Sequence, residues 1–198
     1  FPQFQFRPAH ADALHVDFWL DGSNILRDGG SYSYNTSADW LHYFPGTASH
    51  NTIQFDGKDK MPRLGRFLFG DWAKSLYFTD IQENKTEASF EAAFLQQSNI
   101  KHVRSVSLSG NELKIIDDID GSFGEAILRW RLNPDFSWQL CDTSVTSGSH
   151  SLHVTSTKPI KRVTLGDGFE SRFYSHRTTL PVLEIVVDRP CTLTTRYC

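Results

Sequence analysis

Val103-Arg104-Ser105-Val106-Ser107-Leu108, then Ser109-Gly110-Asn111, then Leu113-Lys114-Ile115-Ile116-Asp117, is a pair of alternating runs joined by a short polar turn. Successive side chains on a strand point to opposite faces, so each run offers one face to a core and one away from it. A Gly-Asn pair between two such runs signals an antiparallel hairpin. The same pattern extends outward. His15-Val16-Asp17-Phe18-Trp19-Leu20 ends in Asp21-Gly22, and Asn51-Thr52-Ile53-Gln54-Phe55 ends in Asp56-Gly57. Further strands are expected over 126–132, 150–155, 162–165, 182–187 and 191–196. Phe90 and Phe94 suit one face of a helix or of a strand over 86–97, and strand is preferred. Many short strands with regular turns predict an all-β fold, a two-layer antiparallel β-sandwich, as one domain over 1–198.

Apolar residues at 39% and charged residues at 22% give a folding composition and not a disordered one. A net charge of −3 lacks the basic surface that phosphate binding needs, so no nucleic-acid partner is expected. It still permits a local basic cleft facing an anionic polymer. No apolar run approaches the roughly 20 residues of a spanning helix, so no membrane partner is expected. Phe1-Pro2-Gln3-Phe4-Gln5-Phe6 alternates like a strand, lacks an initiator Met and has no signal-peptide character, which reads as a fragment or a processed chain. Of Cys141, Cys191 and Cys198, three reduced thiols are preferred over a Cys191–Cys198 bridge with one thiol left.

Most candidate chemistry lies in the first 60 residues: His10-Ala11-Asp12, Asp28-Gly29-Gly30, Ser31-Tyr32-Ser33-Tyr34-Asn35 and Ser49-His50-Asn51-Thr52. His10 and Asp12, two apart on a strand, would point to the same side. Asp28 precedes two glycines, which allow a sharp turn, and His50 precedes an alternating strand. Two imidazoles and a carboxylate from three strands make a tetrahedral zinc site completed by water. The alternative is that each histidine is a hydrogen-bonded structural group. A 2-His-1-carboxylate iron site of an oxygenase jelly roll is a further alternative, although no distal His is followed by the Arg and Ser that would hold an oxo-acid. Trp19 and Trp130, inside apolar alternations, are expected in the core, whereas Trp40 and Tyr43 lie in a loop-like aromatic segment suited to glycan contact. Lys58, Lys60, Arg63 and Arg66 read as a solvated hairpin face that an acidic polymer could approach.

The stretch from Pro8 to Asn35, with Ala48-Ser49-His50-Asn51-Thr52-Ile53 and Asp56-Gly57 after it, resembles the signature region of heparinase II/III-like C-terminal domains. The resemblance is specific in the first 60 residues and looser along the later strands. It implies a β-sandwich beside an N-terminal (α/α) toroid absent from this chain, with a structural Zn2+ held by His10, Asp28 and His50 and with Asp12 outside the ligands. It also implies a bacterial, periplasmic or extracellular parent enzyme that cleaves uronic-acid-containing polysaccharides by β-elimination. Such an enzyme neutralises the uronate carboxylate, removes the acidified C5 proton and protonates the leaving oxygen. Most groups for that chemistry belong to the toroid, so the isolated domain is expected to be inactive. Some members carry a catalytic His two residues before the first ligand, but Pro8 stands there and cannot transfer a proton. Tyr34 is the candidate acid on this chain. A non-catalytic glycan-binding or assembly module is the rival function.

Overall fold

The computed structural model describes residues 8–96 and 99–198, so the alternating Phe1 to Phe6 stretch lies outside the described residues. In chain order the strands are β1 Phe18–Leu20, β2 Ser23–Leu26, β3 Ile53–Phe55, β4 Arg63–Gly65, β5 Leu68–Phe69, β6 Lys74–Phe78, β7 Gln82–Glu83, β8 Glu87–Leu95, β9 Lys101–Ser109, β10 Glu112–Asp120, β11 Ala126–Arg131, β12 Gln139–Cys141, β13 Ser144–Ser147, β14 His150–Ser156, β15 Arg162–Phe173, β16 His176–Val187 and β17 Cys191–Tyr197. One helix, α1 Ala38–Tyr43, and a 3-10 turn, Thr47–Ser49, interrupt them.

The hairpin that opened the sequence reading is β9–β10, registered so that Ile115 faces Val106 and Asp117 faces Arg104. It sits inside a nine-stranded sheet of order β12-β13-β14-β17-β10-β9-β8-β6, with β7 also on β8. The second layer is β15-β16-β11-β3, and every pairing in both sheets is antiparallel. The inward residues of the two layers form one core: Leu113, Ile115, Ile119, Leu193 and Tyr197 cluster with Leu128, Trp130, Leu183 and Ile185. Trp130 Nε1–H donates to Thr195 Oγ1 at 3.1 Å, tying β11 to β17 across the sandwich. The expected two-layer antiparallel β-sandwich is therefore the fold.

Several expectations need correction. Trp19 is 57% exposed, not in the core, because Phe18 takes the inward position and a register shift follows it. A one-residue step on a strand exchanges the faces. The loop-like segment with Trp40 and Tyr43 forms α1. His10 lies on a bend and Asp12 just after it, neither on a strand. β15 and β16 run well past the predicted limits, through Gly166, Gly168 and Pro181. The 86–97 segment does contain a strand, β8, and all three cysteines are free thiols. No helix among the described residues is long and apolar enough to cross a membrane.

The largest correction is Lys60, placed on a solvated face by the sequence pattern but only 1% exposed. Its Nζ lies 3.4 Å from His102 Nδ1, His102 Nε2 is 2.6 Å from Asp117 Oδ1, and Arg104 grips both Asp117 oxygens at 2.7 and 2.9 Å. The Arg104 guanidinium also stacks on Trp130, 5.1 Å from its ring. Burial pushes the Lys60 ammonium down to about 7, helped by the neighbouring Arg104 charge. A free lysine titrates near 10.4, so between the two values the unfolded chain binds more protons than the folded one, and stability rises with pH. We expect the unfolding free energy of the wild type, relative to Lys60→Met, to climb from about pH 7 toward about pH 10. Parallel urea titrations across that range measure it, and a flat difference would mean that Lys60 is not desolvated.

Candidate metal centre and adjoining cleft

Three connecting segments on one side of the sandwich bring His10, Asp28 and His50 together, with ligand-type atoms of all three within 4.8 Å of one another. None of the three sits inside a strand. His10 is on the bend before β1, Asp28 follows β2, and His50 caps the 3-10 turn. Their approach depends on glycine. A Cβ on Gly29 would lie 2.6 Å from the Ser49 carbonyl, and one on Gly30, whose φ is +71°, would lie 2.3 Å from the Ser171 carbonyl. The Asp28-Gly29-Gly30 motif therefore allows close backbone contact as much as a turn.

His50 is fully buried and its Nδ1–H donates to Asp28 Oδ1 at 2.6 Å. That leaves His50 Nε2 buried without a partner. Gly29 N–H also donates to Asp28 Oδ1, at 2.7 Å, and His10 Nε2 lies 3.0 Å from Ser31 Oγ. Burial would raise the Asp28 carboxyl, but the His50 hydrogen bond and the three nearby imidazoles hold it below the usual carboxylate range. Burial, and then the neighbouring His50, lowers His10, so its ring is neutral near pH 7. Imidazole nitrogens beside an ionised carboxylate are the donor set that zinc takes. An orphaned buried nitrogen costs about 1–3 kcal/mol unless something binds it. On both counts these residues fit a cation.

Two residues around the cluster went unassigned in the sequence. His15 has its ring centre 5.6 Å from that of His50, and burial pushes it down to about 4. Asn51 is fully buried and joins four segments. Its N–H donates to His15 Nδ1, its amide donates to the Val16 and Arg27 carbonyls, and its side-chain oxygen accepts from Arg131 N–H. Arg104 donates to its carbonyl and to that of Leu14, which links the buried Lys60–His102–Asp117–Arg104 group to the metal cluster. Asp12, in contrast, is exposed and acts on His10 through its charge.

A cleft of about 260 Å³ opens beside the cluster, lined by Pro8, His10, Tyr32, Tyr34, Trp40, Arg66 and Phe67 among others. Tyr34 and Phe67 are exposed and meet edge to face at 5.4 Å. Trp40 also lines it, with Arg177 over its ring at 4.1 Å and Phe169 meeting it edge to face at 4.9 Å. Tyr43 does not line the cleft. Its hydroxyl accepts from Phe169 N–H and from Arg131, which fastens α1 to the outer face of the smaller sheet. Arg63 uses its guanidinium on the Leu41, Gly65 and Arg66 carbonyls, whereas the Arg66 guanidinium makes no hydrogen bond or ion pair among the described residues and lies over the Phe67 ring at 6.0 Å. Phe67 was missed in the sequence, where the flanking glycines and arginines hid it.

A family model for the heparinase II/III-like C-terminal domain matches residues 2–185. No curated protein matches the chain. Among solved structures, a heparinase III superposes with a TM-score of 0.79 at 19% identity, and the heparan sulfate lyase HepC from Pedobacter heparinus with 0.77 at 15% identity. In both, the likeness covers 95% of this chain but only 30% of the other, so the chain spans about 30% of the length of these structures. At such identities the shared feature is the fold. With a family model matched along nearly its whole length and that fold behind it, the chain belongs to the heparinase II/III-like family and corresponds to its C-terminal domain.

Proposed function

We propose that this domain forms one wall of the glycan cleft of a polysaccharide lyase acting on uronic-acid-containing chains, in the periplasm or outside the cell. Zinc is its structural ion, held by His10, Asp28 and His50. The observation that carries this reading is a cleft that shares His10 with the ligand cluster and combines exposed rings with an uncommitted arginine. When bound, zinc would cross-link the three segments that carry its ligands. Tyr34 and Phe67 would stack on pyranose faces, and Arg66 would pair with a carboxylate or sulfate. Family membership supports a lyase parent, and the greater length of HepC and heparinase III supports a second, helical domain that supplies most proton-transfer groups. Pro8 lines the cleft and has no proton to transfer, which favours binding over chemistry for this chain alone. Tyr34 is the remaining candidate acid, since its exposed hydroxyl makes no hydrogen bond among the described residues.

Calorimetric titration of the domain with an acidic glycosaminoglycan oligosaccharide tests the reading. Loss of one exposed charge-assisted contact is worth about 1.5 kcal/mol, so Arg66→Gln is expected to weaken binding about 10-fold. Unchanged affinity in Arg66→Gln and Phe67→Ala would move the glycan elsewhere. Release of unsaturated uronate by the domain alone would overturn the assignment of proton transfer to another domain.

A further inference from the structure

We propose that His15 is a positioning residue of the metal centre, the donor that fixes the Asp28 carboxylate from behind. The inference rests on the metal reading above. His15 Nδ1 accepts the Asn51 N–H at 2.9 Å, so in the neutral ring the proton is on Nε2. That Nε2–H is buried and has no partner, and it lies 3.9 Å from Asp28 Oδ1. The gap is too long for a hydrogen bond, yet a small swing of either side chain closes it. Asp28 Oδ1 now accepts from His50 Nδ1 and Gly29 N–H.

His50 offers its unpartnered Nε2 to the cation, so its Nδ1–H stays on Asp28 Oδ1. His15 Nε2–H is the further donor behind that oxygen, buried and without another partner. The same tautomer keeps His15 from being a ligand itself, because its free nitrogen carries the hydrogen and its other lone pair is taken. Groups that orient metal ligands in this way are typically worth 10–100-fold in affinity, and that is the effect we expect (about 10–100-fold).

Two substitutions separate this role from simple support of the fold. His15→Asn retains an acceptor near Nδ1 for Asn51 N–H but cannot reach Asp28. His15→Gln places an amide N–H near Nε2 but gives up the Asn51 contact. Zinc dissociation constants, from competition with a chromogenic chelator, should rise about 10–100-fold in His15→Asn and return most of the way in His15→Gln. Melting of the metal-free protein should show the reverse order. Cobalt-loaded His15→Asn should keep the wild-type absorption bands, since its ligands are unchanged. Wild-type zinc affinity in His15→Asn, or a cobalt spectrum altered as in His10→Ala, would overturn the role of His15 while leaving the metal site standing. A wild-type domain that takes up no zinc would overturn the metal reading, and the inference with it.

Discussion

Replacement of Asp117 by alanine is expected to destabilise the domain by about 3–5 kcal/mol, the usual cost of removing one partner from a buried ion pair. Asp117 is fully buried and receives Arg104 through two hydrogen bonds and His102 through a third. Without it the Arg104 guanidinium lies beside Lys60 with no anion to balance it. A typical domain has only about 5–15 kcal/mol of net stability, so Asp117→Ala should unfold at much lower urea, and Asp117→Asn, which keeps an acceptor, should lie between. Burial alone would raise the Asp117 carboxyl, but the Arg104 charge and the His102 bond hold it below the usual carboxylate range. The contribution is thus present above the ordinary carboxylate pKa and is lost only as pH falls well below it. A cost under about 1 kcal/mol would show that water or a neutral Lys60 already balances the group.

The second large effect is expected at His50. His50→Ala removes a proposed ligand and not a group behind one, so zinc affinity should fall by more than the 10–100-fold typical of outer groups, that is by more than about 100-fold. Elemental analysis of protein purified without chelator should find about one zinc per wild-type chain and close to none in the variant. A chelator should lower the melting temperature of the wild type alone, because an ion at about 100 times its Kd adds about 2.7 kcal/mol. Wild-type protein without metal would refute the zinc site, and iron in its place would favour the oxygenase-type alternative.

The sheet layers were legible where hydrophobic alternation is clean. β9, β10, β11, β14 and β17 fall where period-two runs predicted them, since one face of each packs in the core. Trp19 was not, because alternation gives the period of a strand and not its phase, and a register shift at Phe18/Trp19 decides the phase. That His10, Asp28 and His50 would cluster was legible only through the family signature. Spacing alone could not choose His10 and His50 among eight histidines, and the three clustered residues come from irregular segments that carry no periodic signal. The buried Lys60 group did leave one trace. In β10 the inward series Leu113, Ile115, Asp117, Ile119 places an acid among aliphatic residues, and such an acid needs a buried cation opposite it.

Asn51 also bears on the order of assembly. Its side chain and backbone bind residues 24 to 80 positions away in sequence, on four different parts of the chain. Closing such loops is entropically unfavourable until both sheets exist to hold their ends, and folds dominated by distant pairings form slowly. The pocket around His50 is therefore expected to close at the last stage of folding, after the strands on either side of it have paired. The proposed zinc ion would then act as a latch on a finished sandwich and not as a seed for it, with its influence on how slowly the domain comes apart.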